Sequence, residues 1–297
     1  MIASLESLLH HRSGIVRKGS TLLLQIPKSI ARSSDSPEKR AAKPPVFANS
    51  FPKSGTHLLD QIVEAFPGMR NFGSFLSSMT SSFQFRERTR QSTLNFISST
   101  IAGELTRAHL FFSEEYAAAL AKRNVIHFFI YRDPRDVVIS EAHYLRSLNR
   151  WHRLHKVFRS TPTLDDAIML SIQGLQDCNG SLNYPDIGTR FERYAGWIGR
   201  SDVYSMRFED LVGDLRDQIL DEMIDFYQQG TLELMGENSA DIKVNMITNI
   251  APERSHTYRK GKSGGWRDRL KVQHREEFKR VAGDLLIQLG YEQNLNW

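Results

Sequence analysis

The chain has 297 residues, 40% hydrophobic and 25% charged, with a formal net charge of +5, the profile of a soluble globular protein with one large core or two modest ones. Its single cysteine, Cys178, excludes an internal disulfide and a cysteine-based metal cage. No apolar run reaches the roughly 18 residues that a membrane-spanning helix needs, so stable membrane insertion is not expected.

The charge is unevenly placed. Residues 1–45 hold eight basic residues against three acidic ones, so this segment accounts for the whole +5 and the remainder is neutral. A neutral body argues against a nucleic-acid-binding surface, and the excess reads as a flexible basic arm. Within it, "IARSSDSPEKRAAKPP" (30–45) is rich in Ser, Pro and charge and reads as a linker. "TLLLQI" (21–26) is too short for the apolar segment of a secretory leader, about 7–15 residues, and a cytoplasmic location is expected. The expected division is a partly flexible N-terminal segment over 1–45 and one domain over 46–297.

From Val46 onward strand and helix signals alternate. A short apolar strand (46–50) leads through a turn into an amphipathic helix from about Thr56 to Phe66, stopped by Pro67-Gly68. Residues 69–100 are Ser/Thr-rich with scattered aromatics and read as partly loop. Ser113 caps a short helix with Glu114 and Glu115 in its first turn and Lys122-Arg123 in its last, complementing the helix dipole. "VIHFFIY" (125–131) is apolar on both faces, as a central parallel strand is. A helix follows from near Arg135, then a third strand (203–208), a helix through about Gln229 and a C-terminal helix over 273–289. This order predicts an α/β fold with a parallel sheet between two helical layers.

The turn in "SFPKSGTHLL" (50–59) carries the chemistry. Backbone N–H groups at a helix start lack intrahelical partners and carry partial positive charge. Gly55 permits close approach of a ligand, Thr56 adds a hydroxyl and Lys53 a full charge, so a phosphate or sulfate group fits there. It is not a Walker A loop, because G-x-x-x-x-G-K-[ST] is absent.

"FPKSGTHLLDQI" resembles the 5′-phosphosulfate loop of sulfotransferases that use 3′-phosphoadenosine 5′-phosphosulfate (PAPS). "YRDPRDVVIS" (131–140) is similar to that family's 3′-phosphate motif, "YRKGKSGGW" (258–266) to its C-terminal segment, "RAHLFF" (107–112) to the stretch holding its catalytic histidine, and "MRFEDL" (206–211) to its aromatic-Glu-Asp strand end. The five occur in the family's order. The resemblance implies a three-layer, nucleotide-kinase-like sulfotransferase fold and transfer of a sulfuryl group from PAPS to a hydroxyl or amine, releasing 3′-phosphoadenosine 5′-phosphate (PAP). It implies Lys53 at the leaving phosphate, His109 as the base, and Ser140 at the 3′-phosphate and the lysine. The donor would also meet Ser54, Gly55, Thr56, His57, Arg132, Phe208, Arg259, Lys260 and Gly261. No metal is expected, and no HExxH or similar spacing occurs. Departures are His57 for a threonine, Leu58 for an adenine-stacking tryptophan, Gly265 for an aspartate and Phe208 for a tyrosine.

Two other readings stay open: a nucleotide or small-molecule kinase on the same fold, and a non-catalytic nucleotide-binding module. The acceptor is expected to be a small molecule or carbohydrate, met by residues 69–100 and 144–190. Phe72, Phe75, Phe83 and Phe85 suit an apolar pocket or sheet packing; Arg150, Trp151, Arg153 and Arg159 suit a sugar or an anionic glycan.

Overall fold

Five strands alternate with helices along the chain, and each strand runs parallel to its sheet neighbours. The computed structural model describes residues 2–11, 13–80, 87–176, 183–231, 238–251 and 263–297. Ahead of the sheet stand α1 (Ile2–Ser7), α2 (Gly14–Ser33) and α3 (Pro37–Ala42). There follow β1 (Val46–Ser50), α4 (Thr56–Val63), β2 (Arg70–Ser77), α5 (Arg90–Ser98), β3 (Glu104–His109), α6 (Glu114–Lys122), β4 (Ile126–Tyr131) and α7 (Pro134–His143). A π-helical turn (Tyr144–Leu148) leads to α8 (His155–Ser160), α9 (Leu164–Gln173), the two-residue strands β5 (Leu175–Gln176) and β6 (Asn183–Tyr184), and α10 (Ile187–Ala195). The chain closes with β7 (Val203–Arg207), α11 (Phe208–Val212), α12 (Arg216–Gln229), α13 (Ser239–Asn249), α14 (Trp266–Arg269) and α15 (Val272–Gln288).

The sheet order is β2-β3-β1-β4-β7, the three-layer α/β arrangement expected from the sequence. β1 and β4 are buried along their whole length. On one face Phe47, Phe129 and Ala108 pack with Val138, Phe191 and Trp197. On the other, Val46, Phe128 and Leu105 pack with Leu59, Ile62 and Leu220. Each central strand therefore buries both faces, which is why its sequence lacks alternation.

The N-terminal segment differs from the expectation. The stretch that reads as a linker contains the end of α2 and all of α3, where Ser36 accepts from Lys39 N at 3.3 Å and Pro37 takes the first helical position. Asp35 accepts from Ala102 N at 2.9 Å, and Lys43 O accepts from Gly103 N at 2.8 Å, tying the stretch to the sheet. α2 lies against β2: Leu24, fully buried, joins Leu9, Phe72 and Ile101 in a small separate core. Lys28 Nζ reaches the buried Glu104 carboxylate at 2.6 Å and Ser74 Oγ at 3.0 Å. Gly73, at φ +72°, permits this approach, because a Cβ there would stand 2.6 Å from Thr21 Oγ1.

Residues 69–100 also differ. They are partly loop, as expected, but also contain β2 and α5, which the sequence did not mark. The β2 sequence, "RNFGSFLS", hides its strand character behind Gly73, a register shift between Arg70 and Ser74, and polar groups satisfied by α2 and Glu104. The predicted helix ending near Phe66 is helical to Val63 and continues as turns.

Candidate active site

Four strands deliver residues to one end of the sheet, the carboxyl edge where open α/β folds place their ligands. β1 ends at Ser50 and passes into the turn Phe51–Gly55, β3 ends at His109, β4 is followed by Arg132, and β7 by Phe208. Lys53, Gly55, His109, Arg132 and Phe208 border a continuous cavity of about 1380 Å³. That exceeds the roughly 300–1,000 Å³ of an ordinary small-molecule site, so there is room for two ligands end to end.

The turn takes its shape from Lys53 and Gly55, whose φ angles are +68° and +99°. Ser54 N bonds Phe51 O at 3.2 Å, and Gly55 O accepts from Leu58 N and Leu59 N at 2.9 and 3.0 Å, which starts α4. Gly55 is required twice: by its left-handed backbone and by Phe208, whose ring would lie 2.6 Å from a Cβ. The Ser54 hydroxyl is buried with no hydrogen-bond partner among the described residues. Thr56 Oγ1 and Ser50 Oγ are 2.7 Å apart. Lys53 Nζ sits 4.0 Å from the centre of the Tyr144 ring.

His109 is held from β1. Its Nδ1 lies 2.9 Å from the Ser50 carbonyl and 3.1 Å from Ser50 Oγ. A carbonyl only accepts, so Nδ1 carries the proton and Nε2 of the neutral ring keeps a lone pair. Burial pushes the imidazole down to about 4, Arg107 and Lys53 add to the shift, and the Ser50 hydrogen bond opposes it. The Phe75 ring meets the imidazole edge-on, centroids 5.5 Å apart. Arg107, two residues earlier on the same strand face, pairs with the buried Asp60 of α4, and His57 Nδ1 lies 3.9 Å from that carboxylate.

At the other end, the Arg132 guanidinium stands 4.7 Å from the Phe208 ring centre and 3.3 Å from the Asp136 carboxylate. Asp136 accepts from Gly264 N at 2.8 Å and Trp266 N at 3.0 Å, so α7 anchors the C-terminal segment beside Arg132. Burial raises the Asp136 carboxyl despite that arginine. Gly265 fits this knot: a Cβ there would lie 3.6 Å from Asp136 Oδ1, so an aspartate would set two carboxylates close together. Ser140 lines the cavity one helix turn after Asp136. Arg259, Lys260 and Gly261 lie outside the described residues, as do Phe83 and Phe85. Leu58, Val212 and Ile250 line the cavity near Phe208.

Lys53, Thr56, His57, His109, Arg132, Ser140 and Phe208 thus share one cavity. Sequence reasoning missed Arg107, although the strand's period of two places it beside His109. It also missed Tyr144 and the α2 residues Arg17, Lys18 and Lys28 that line the far end. Arg17 is lowered by burial and then by Arg107, an index of how close α2 comes. Among the described residues no group of His, Cys, Asp and Glu could hold a metal ion, and no helix is long and apolar enough to cross a membrane.

The sequence matches the sulfotransferase domain over residues 43–290. The chain belongs to the sulfotransferase family. Its fold is similar to that of the mouse sulfotransferase SULT7A1 complexed with PAP (18% identity, 87% of each chain covered, TM-score 0.56). It is also similar to retinol dehydratase, in complex with androsterone and inactive cofactor PAP, at 16% identity, 88% and 85% coverage and a TM-score of 0.53. No curated protein matches the sequence at a significant level.

Proposed function

We propose that this sulfotransferase takes PAPS as donor and moves its sulfuryl group to the hydroxyl of a small acceptor with an apolar body. The observation that carries the reading is the convergence of Lys53, an Nδ1-protonated His109, and Arg132 along one cavity with room for both substrates.

PAPS would lay its 5′-phosphate on the backbone donors of Ser54, Gly55 and Thr56 at the α4 N-terminus, where the helix dipole favours an anion. Its 3′-phosphate would meet Arg132 and Ser140, with Arg259, Lys260 and Gly261 closing from the C-terminal segment, and the adenine would lie against Phe208 and the apolar wall of Leu58, Val212 and Ile250. His57 borders the same loop. In the transfer, the sulfur–oxygen bond to the 5′-phosphate breaks as a bond to the acceptor oxygen forms. The acceptor proton passes to His109 Nε2, and charge left on the phosphate oxygen is met by Lys53. In donor-free protein the imidazole is too weak a base. The donor's negative charge would favour the protonated ring and raise its basicity when needed. Lys53 would leave the Tyr144 face to follow the leaving oxygen.

Beyond His109 the cavity is bordered by Phe75, Met79 and Phe96, with Arg17 and Arg88 among them. That combination supports an apolar acceptor bearing an acidic group. Calorimetric titration with PAP, ADP and AMP tests the donor site. Tight binding that requires the 3′-phosphate is expected, and a preference for ADP would move a kinase to the front. His109→Ala should keep PAP affinity and lose about 10²–10⁴-fold in turnover, the usual worth of a general base. Near-normal turnover would assign the base elsewhere.

A further inference from the structure

α2 is turned inside out. Ile15, Leu22, Leu23, Ile26 and Ile30 are each 51–84% exposed, while Ser20, Thr21 and Lys28 face the body beside Leu24. At about 100° per residue, the five apolar side chains fall in an arc of roughly 100° centred nearly opposite Leu24. An apolar stripe of this length on solvent is unlike the scattered exposed leucines of ordinary surfaces.

Charge shows what covers it. The 20 residues of α2 hold no acid, and Lys18 and Arg32 are exposed beside the stripe, whereas Arg17 lines the cavity and Lys28 holds Glu104. The segment 1–45 holds the chain's whole excess of +5. One apolar face, a polar face opposite it and flanking cations describe a helix that lies in a membrane interface. A second exposed element joins it at the same cavity. Trp151, 84% exposed, stands between the exposed Arg150 and Arg153, and the exposed Leu148 precedes them. Their neighbours Asn149 and His152 line the cavity that Lys18 and Leu22 also line. Tryptophan with arginine is the pairing found at lipid headgroup level.

We infer that α2, with the turn around Trp151, docks the protein on an anionic lipid bilayer, the stripe entering the headgroup boundary while the exposed Lys18, Arg32, Arg150 and Arg153 meet the lipid charge. The stripe adjoins the cavity at Leu22, so the docked protein turns the cavity mouth toward the bilayer.

Cosedimentation of the full chain with vesicles of phosphatidylcholine, alone or mixed with phosphatidylserine, tests this. Partitioning about tenfold or more stronger onto the anionic vesicles is expected, weakening with salt. The triple variant Ile15→Gln/Ile26→Gln/Ile30→Gln should lose about tenfold or more of that partitioning through its lost apolar burial. Its PAP affinity should be unchanged, which keeps misfolding apart from lost docking. Tryptophan emission should shift to the blue on binding, and Trp151→Phe should abolish the shift. Equal sedimentation of wild type and triple variant, or none with either vesicle, would overturn the inference. So would self-association of the wild type that the triple variant abolishes, because a second copy would then cover the stripe. None of these readouts needs turnover.

Discussion

The Ser50 carbonyl fixes the tautomer of His109, and burial keeps that imidazole neutral across the physiological range. His127 is a useful contrast. It sits fully inside, on β4, whereas His109 borders the cavity; His127 packs edge-on against Phe47 and Trp197, and burial pushes it down to about 3. It lies away from the cavity, so its titration belongs to stability alone. The folded ring refuses a proton below the ordinary value near 6.5, whereas the unfolded chain takes one. The contribution is therefore fully present above that value and lost as pH falls toward 3. Urea midpoints measured from pH 7.5 down to 5 should decline, and His127→Phe should flatten the slope by up to about 1.4 kcal/mol per pH unit. An unchanged slope would clear His127 as the cause. The apolar run 125–131, legible in the sequence, contains His127 and so carries it into the core. The strand's period of two sets Arg107 beside His109, but nothing local shows what holds that arginine, because its partner Asp60 is 47 positions away in the chain.

At the level of elements, the strands and helices of the central layer were legible wherever one signal dominated: short, mainly apolar runs for β1 and β4, and a serine cap for α6. β2 and α2 were not. β2 breaks its period at Gly73 and a register shift, while α2 keeps a helical period but turns its apolar arc outward and gives Lys28 to Ser74 of β2 and Glu104 of β3. Such pairing cannot be read from either segment alone. Asp136 is the comparable node on the donor side, joining α7, Arg132 and the backbone before α14. Asp136→Asn keeps the size but removes the charge from two hydrogen bonds, one buried and one partly so, each worth about 1.5–3 kcal/mol when charge-assisted. The expected outcome is a PAP dissociation constant raised about tenfold or more with the fold retained by circular dichroism. An unchanged constant would mean that the C-terminal segment reaches the donor without this anchor.

Across the whole molecule, the sheet ends on one side at β2, and a terminal strand carries unpaired backbone groups that invite another chain. Gln25 Nε2 of α2 reaches the Phe72 carbonyl of β2 at 3.4 Å, and Thr21 presses against Gly73. The helix that presents an apolar stripe outward is thus also the cover on that open border. Shortening the chain to the matched span 43–290 would leave β2 bare, and dynamic light scattering should show the shortened protein assembling into large particles that the full chain does not form. If it stays monodisperse, another element guards the border. The basic arm that composition alone reads as flexible is, on this geometry, what keeps one copy of the sheet from being extended by the next.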